Sequence, residues 1–589
     1  MVVGEAGVRP RILVIQTFRY GDVIQSTPAI AALRRHSPDA EITALARKPF
    51  GEVLRGNPDI DLVVELDTNI LDSVGHVPGA PADEQLETLR GQVGARLSPP
   101  FDEIINLAND FPSALVVALL KPQRASGLVL CPDGRYRVRN EWLRYLFMAA
   151  EARFMAGINL ADILSGSCGG SGRGLLKMPV TAADRHWAEE TLGATLRAAR
   201  APVAIQAGAS KDYKRWPPGR FAAVSRMLLD AGHPLVFVGS ESERPLAATI
   251  LGALPASPGR VADIVGRTTF SRLAAVLERC RLLISNDTAT VHVAAAVGTP
   301  SLVITFGPTS AWETAPYGEG HYVLEPAAAC FPCDWEKRCP DMPCRDMITA
   351  DVVWRAAMCA LGPPGLHPGL EAGPATLYRT AWMPDGLLGL EPLNKPELEI
   401  RDVLRAIMRT YFVSHRLRRA GVSSGPEWRP WCDEMLRWYR VKNSAALRER
   451  ASAAAADMAA LGRLAQAGRR AAEALMLNTG KAPDPSVQRL CESVSRLEER
   501  ILASEENELL RFLVVSFRHA LRDMEPMSPD EAALAHRWNF MDLANACAYA
   551  EEQMKAFSQF LSGQVEHAAA DNGRACIADA RVEALHVAD

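Results

Sequence analysis

Short apolar runs alternate with helical patterns through the first part of the chain. Runs rich in aliphatic residues predict four strands, at residues 11–17, 41–46, 62–66 and 101–107. Residues 21–35 between the first two show helical periodicity. Strands that alternate with helices are typical of a parallel, doubly wound sheet. The pattern therefore predicts an α/β domain, which we place at residues 10–180.

The same pattern returns near Pro202. Apolar runs predict further strands at 203–206, 234–239, 282–286 and 301–306. This second α/β domain is placed at residues 181–361. Ligand sites often lie at domain interfaces. Two such domains in tandem therefore predict a bilobed enzyme with its site in the cleft.

The composition changes after the second domain. Residues 362–395 open with Gly-Pro-Pro-Gly and are predicted to be a linker. Residues 396–589 are predicted to form an α-helical appendage, because Ile400, Val403 and Ile407 repeat at helical spacing.

The bulk composition excludes several classes of protein. The 589 residues carry a formal net charge of −4, which gives no basic excess for nucleic acid. No apolar run reaches the roughly 18 residues of a membrane-spanning helix. The N-terminus has neither the basic nor the apolar region of a signal peptide. We therefore expect a cytoplasmic protein without a nucleic-acid partner.

The segment from Leu282 to Phe306 predicts a phosphate site. A buried strand is followed by a polar turn and an Ala-rich helix. The first turn of a helix offers unpaired N–H groups and a positive dipole end, which suit a phosphate. Asp287 and Thr288 lie at this turn, with His292 one helical turn further on.

Two other turns follow predicted strands. Asp22 lies just beyond the first strand, where it could act as a general base or as a helix N-cap. The small and basic residues of segment 206–218 suit either a diphosphate or a solvated loop. Beyond the strand that ends at Gly239, an acidic residue, either Glu241 or Glu243, could accept hydrogen bonds from ribose hydroxyls.

Five motifs in this order resemble glycosyltransferase family 9, the heptosyltransferases of lipopolysaccharide core assembly. They are Gly21-Asp22, Gly208-Ala-Ser with Lys214-Arg-Trp-Pro, Gly239-x-Glu, Asp287-Thr-x3-His and Phe306-Gly-Pro-Thr309. The resemblance covers roughly residues 10–360. It implies a GT-B fold, in which two Rossmann-like domains face a cleft, together with inverting transfer from ADP-heptose and no catalytic metal.

The resemblance also implies roles for single residues. Asp22 matches the base that deprotonates the acceptor hydroxyl. The donor-binding positions match Ser210, Lys214, Glu241, Asp287, Thr288 and His292. The family usually has Gly where this chain has Ala289, and the added Cβ bears on which sugar nucleotide fits. Trp216 is expected to pack its loop rather than to contact substrate.

Four cysteines crowd into a short segment, at Cys330, Cys333, Cys339 and Cys344. Their spacing is typical of a tetrathiolate site, so we expect either a structural zinc or iron ion or unligated thiols. Similar clusters occur in some family members, where the metal is structural.

The sequence leaves the identity of the acceptor undecided. A basic group comprises Arg47, Lys48, Arg135, Arg137, Arg139 and Arg144. It could bind an anionic lipid-linked saccharide, lie at the inner face of the cytoplasmic membrane, or be plain surface charge. The main hypothesis is heptosyl transfer to a lipopolysaccharide-core acceptor. The alternatives are transfer to a protein, and a catalytically silent GT-B scaffold that acts through its helical appendage.

Overall fold

The computed structural model describes most of the chain. The described residues are 9–67, 82–97, 100–131, 134–170, 172–196, 200–333, 339–363, 373–417, 434, 435, 437, 439–477, 485–507, 509–522 and 529–585. They form two compact units, divided between Pro396 and Glu397. Each unit is described by itself.

The first sheet of the N-terminal unit has six strands. They are β1 (Arg11–Gln16), β2 (Glu41–Arg47), β3 (Leu62–Leu66), β4 (Glu103–Asn106), β5 (Arg124–Leu130) and β6 (Tyr136–Arg139). Their order is β3-β2-β1-β4-β5-β6. All pairs are parallel except β5 with β6. This is the predicted doubly wound sheet.

Among the described residues, six α-helices accompany this sheet: α1 (Tyr20–Gln25), α2 (Thr27–His36), α3 (Ala82–Arg96), α4 (Phe111–Leu120), α5 (Glu141–Glu151) and α6 (Leu160–Ser167). The helix predicted over residues 21–35 is divided at Ser26. Pro28 has no N–H to continue the hydrogen-bond ladder of α1, so a second helix begins there.

The second sheet repeats the same winding with eight strands. They are β7 (Val203–Gln206), β8 (Leu235–Phe237), β9 (Val261–Asp263), β10 (Leu282–Asn286), β11 (Ser301–Ile304), β12 (Tyr322–Pro326), β13 (Ala375–Trp382) and β14 (Leu388–Pro392). Their order is β14-β13-β12-β11-β10-β7-β8-β9. The predicted pair of Rossmann-like domains of a GT-B fold is confirmed.

In the described part of this half of the unit there are eight α-helices: α7 (Ala182–Leu196), α8 (Pro218–Asp230), α9 (Arg244–Gly252), α10 (Phe270–Leu277), α11 (Ala289–Ala296), α12 (Ala311–Thr314), α13 (Cys344–Met347) and α14 (Ala350–Leu361). Side chains from α1, α10 and α11 share one buried apolar cluster. The two sheets are therefore joined by a common core.

The predicted linker at 362–395 is largely structured, which corrects that prediction. Strands β13 and β14 occupy most of it and pair antiparallel with β12 and with each other. Leu377, Leu388 and Leu390 are buried in the sheet. The Gly- and Pro-rich start suggested a linker, and residues 364–372 lie outside the described part of the chain.

The C-terminal unit is helical, as predicted. Its helices are α15 (Ile400–Tyr411), α16 (Ser444–Met476), α17 (Pro485–Leu502), α18 (Arg511–Arg522) and α19 (Pro529–Leu585), and a π-helical turn spans Phe412–Leu417. Gly468 of α16 lies against the Phe540 ring of α19, where a Cβ would come within 2.2 Å of the ring. Among the described residues, no helix is both long and apolar enough to cross a membrane.

One buried carboxylate fastens β14 to the rest of the N-terminal unit. Asp162 of α6 is 1% exposed and accepts a 2.6 Å hydrogen bond from the Tyr317 hydroxyl. It also accepts a 2.8 Å bond from the Leu388 N–H at the start of β14. The buried Asp162 side chain therefore links α6 to Tyr317 and to the start of β14, and water cannot replace it there.

We predict that Asp162→Ala lowers the free energy of unfolding by about 2–5 kcal/mol, because a buried hydroxyl and a buried N–H lose their acceptor. Urea denaturation followed by circular dichroism measures the change. Asp351→Ala, which removes an exposed partner of Arg355, is the control and costs less than about 1 kcal/mol. Equal losses in the two variants would contradict the role of Asp162.

Candidate functional site

The carboxyl ends of the central strands meet at one place. Asp22 follows β1, Lys214 follows β7, and Asp287 follows β10. In the second sheet, β7 and β10 are neighbours at the point where the strand order reverses. Ligands of open α/β sheets bind at such points. The topology therefore brings the predicted residues to one site.

Close packing of α1 against α11 joins the two halves of the site. A Cβ on Gly21 would lie 3.0 Å from Cδ2 of His292, so only glycine fits here without a shift. Gln25 Nε2 lies 3.3 Å from His292 Nε2. Burial lowers the pKa of His292 to about 4, which keeps the ring neutral at pH 7 and able to accept this hydrogen bond.

Asp22 lies in the third position of α1 and is not the N-cap, which is Arg19. Its Oδ2 accepts a 3.3 Å hydrogen bond from the Arg19 N–H, so the carboxylate does cap the helix from inside. Burial raises its pKa to about 6, with further contributions from the negative charges of Asp287 and Glu313. A carboxylate whose pKa approaches neutrality is suited to general-base chemistry.

Lys214 and Asp287 form an ion pair across the switch point. Lys214 Nζ lies 3.1 Å from Asp287 Oδ2, and the two side chains are 17% and 10% exposed. Lys214 belongs to the 3₁₀ turn Asp212–Lys214 beyond β7. The ammonium group is therefore next to the start of α11, where the predicted phosphate would lie.

A hydrogen-bond chain leads away from the N-terminus of α11. Thr288 is the N-cap, but its hydroxyl donates to Gln206 Oε1 at 3.2 Å and makes no capping bond. Gln206 in turn donates to Glu243 Oε1 at 3.0 Å. The first N–H groups of α11 therefore lack a side-chain cap from Thr288.

The two candidate glutamates point in different directions. Glu243 turns inward, where it bonds Gln206 and the Ser240 N–H. Glu241 is exposed and forms a bidentate pair with Arg244 at 2.8 Å. Glu241, the predicted nucleoside contact, is thus the one that faces solvent, while Glu243 supports the loop beneath.

Asn286 fixes the loop that carries Lys214. Its amide donates to the carbonyls of Ala207 and Gly208 and accepts from the Trp216 N–H at 2.9 Å. Trp216 is fully buried and donates to the Ile348 carbonyl, which confirms that it packs the loop. Ser210 is exposed on the same loop.

Two residues of the site were missed by the sequence analysis. Glu313 of α12 is 7% exposed, and its Oε2 lies 4.0 Å from Arg153 Nη1. Burial raises the pKa of Glu313, with opposing effects from Arg153 and Lys214. Arg153 precedes its partner by 160 residues, so no local pattern reveals the pair.

The cysteine cluster is not confirmed as a metal site. Burial raises the pKa of Cys333 to about 11, with further contributions from the thiols of Cys330, Cys344 and Cys339. Within the described residues, however, no group of three or more His, Cys, Asp or Glu is placed to hold a metal ion. Residues 334–338 lie outside that part of the chain.

The predicted basic group is not one uniform surface. Arg137 of β6 is buried, whereas its strand neighbour Arg139 is exposed. Arg144 lies within α5 and pairs with Glu141. The exposed members remain candidates for an anionic partner.

Comparison with known proteins gives a consistent result. Residues 90–340 match glycosyltransferase family 9 (heptosyltransferase). Lipopolysaccharide heptosyltransferase 3 of Escherichia coli is 25% identical over 293 residues, which cover 49% of this chain and 81% of that protein. Lipooligosaccharide heptosyltransferase 2 of Haemophilus ducreyi is 24% identical over 328 residues, covering 53% and 88%. The structure of the E. coli ADP-heptose heptosyltransferase II is similar, with a TM-score of 0.43 and 20% identity, and the match covers 60% of this chain and 98% of that one.

The raised pKa of Asp22 predicts a pH-dependent cost to folding. Its folded pKa of about 6 exceeds the ordinary 3.8, so its contribution to stability is full below pH 3.8 and is lost as pH rises through 6. Asp22→Asn should therefore gain on the order of 1–3 kcal/mol relative to the unsubstituted protein between pH 4 and 7. Urea denaturation across this range measures the gain.

Asp61→Asn is the matched control, because Arg34 and the Ile42 N–H lower the pKa of Asp61. As the pH rises through the acid range, Asp61→Asn should lose stability relative to the unsubstituted protein, whereas Asp22→Asn should gain it. The same direction for both substitutions would contradict the environment assigned to Asp22.

Proposed function

We propose that this chain, whose residues 90–340 match glycosyltransferase family 9, is an inverting heptosyltransferase. The donor would be ADP-heptose and the acceptor a saccharide of the lipopolysaccharide-core type. The observation that carries the proposal is the packing of α1 against α11, in which a Cβ on Gly21, next to Asp22, would lie 3.8 Å from the Cα of Ala289. A base and a diphosphate-binding corner thus share one site.

In the proposed reaction, Asp22 takes the proton of an acceptor hydroxyl as its oxygen attacks the anomeric carbon. The bond from this carbon to the diphosphate breaks, and its electron pair leaves with ADP. A single displacement of this kind inverts the anomeric centre. No metal ion is needed in these steps, because protein groups balance the charge.

The departing diphosphate would be stabilised by two features. Lys214, which forms an ion pair with Asp287, supplies a positive charge. The N-terminal N–H groups of α11 supply donors and the positive end of the helix dipole. Ser210 and Thr288 offer hydroxyls on the two flanking loops.

A lipid-linked acceptor would place the enzyme at the inner face of the cytoplasmic membrane. The relatives named for lipopolysaccharide and lipooligosaccharide support this class of acceptor. Transfer assayed with ADP-heptose against a truncated lipopolysaccharide core and against protein acceptors tests the choice. Transfer to protein alone would overturn the proposed acceptor.

We predict that Asp22→Asn lowers kcat by about 10²–10⁴-fold, because the amide cannot take the acceptor proton. ADP affinity should stay within a few-fold of the original, since Asp22 does not bind the diphosphate. In the unsubstituted enzyme, kcat/KM should fall below a pH of about 6 as the base becomes protonated. Radiolabelled transfer and calorimetry measure these quantities. Near-full turnover by Asp22→Asn would exclude it as the base.

Lys214→Met should weaken ADP binding by about tenfold or more, because a charge-assisted contact to the diphosphate is lost. Lys211→Met is the matched control on the same loop, where the side chain is exposed. Calorimetric titration with ADP compares the two variants. Equal affinities would remove Lys214 from the donor site.

A further inference from the structure

Glu313 is a buried carboxylate whose Oε2 has no hydrogen-bond donor among the described residues. The residue is 7% exposed, and no donor among the described residues reaches its Oε2 within bonding distance. The nearest cation, Arg153 Nη1, is 4.0 Å away, which is too long for a hydrogen bond. A buried carboxylate in this state costs free energy unless a further donor arrives.

The backbone that carries this carboxylate is anchored on both sides. Glu313 lies on α12, whose first N–H, from Ala311, donates to Glu325 Oε1 at 2.8 Å. The Glu313 N–H itself donates to the Ser310 carbonyl. The turn therefore holds Glu313 at this place in the fold, with its side chain buried.

Glu313 lies at the sheet edge that carries the proposed site, because α12 follows β11 and β11 is the neighbour of β10, whose end carries Asp287. Its charge acts on Asp22, the proposed base. It is itself influenced by Asp287 and Lys214, at the proposed diphosphate site. The group that occupies the space between a base and a leaving diphosphate is the sugar being transferred.

We infer that Glu313 accepts hydrogen bonds from hydroxyls of the transferred sugar and thereby helps to select it. Sugar hydroxyls are the donors available at this place, and O–H to carboxylate bonds are short and strong. A site built to bind a hydroxyl also rejects analogues that lack it, because the buried acceptor is then left unpaired. This inference rests on the proposed function, which supplies the nucleotide sugar.

Calorimetric titrations with ADP and with ADP-heptose, without acceptor, separate the sugar contribution from that of the nucleotide. Glu313→Leu should weaken ADP-heptose binding by about 10- to 100-fold and leave ADP binding within a few-fold. Glu278→Gln is the control, since it removes one carboxylate that pairs with Arg185 away from the cleft. It should change neither affinity.

Glu313→Gln keeps the shape and one acceptor oxygen, so it provides a second readout. Loss of a negative charge near Asp22 should move the acid limb of the kcat/KM profile to lower pH. This shift checks that Glu313 and Asp22 share one site, and the difference between the ADP and ADP-heptose affinities tests the contact with the sugar. Thermal unfolding by circular dichroism checks that both variants fold.

The outcomes are distinct. Equal losses for ADP and ADP-heptose in Glu313→Leu, or no loss for either, would overturn the role of Glu313 while the proposed function stands. Failure of the unsubstituted protein to bind ADP and ADP-heptose would overturn the proposed function and this inference together.

Discussion

The close approach of α1 and α11 is the contact on which the site depends. Gly21 lies against the His292 ring, and a Cβ at this position would need the ring to shift by a few tenths of an ångström. Each helix begins at the carboxyl end of a central strand, one in each sheet. This close packing brings the turn that carries Asp22 next to the helix start that carries Asp287.

This proximity collects charges that the protein must balance. Asp22, Asp287 and Glu313 are three carboxylates in one buried region, and Lys214 and Arg153 are the cations that face them. Asp22 and Glu313 have raised pKa values because burial and like charges both disfavour ionisation. The arrangement is unfavourable for folding but suited to a substrate that brings hydroxyl donors and a diphosphate.

Local patterns predicted the parts of the fold that are themselves local. The strands at 62–66 and 203–206 match their predicted bounds, because each is a short run of mainly apolar residues. Strands β13 and β14 were missed, since the Gly- and Pro-rich start of the segment concealed an edge hairpin that pairs only through β12.

The site was predictable where motifs lie at strand ends and unpredictable where contacts are distant. Asp287 and Lys214 were expected at one corner, and the structure pairs them. The pairing of Arg153 with Glu313 depends on how the two α/β domains pack, which no spacing along the chain encodes. Likewise, only the 3₁₀ turn at Glu241–Glu243 decides that Glu243 turns inward.

A structure of the protein with bound ADP tests the central claim, that Asp22 and the α11 corner form one site. The account predicts diphosphate oxygens within hydrogen-bond distance of the first N–H groups of α11 and of Lys214, with the terminal phosphate facing Asp22 across a space the size of one sugar. ADP bound elsewhere in the cleft, or with its phosphates turned away from Asp22, would contradict it.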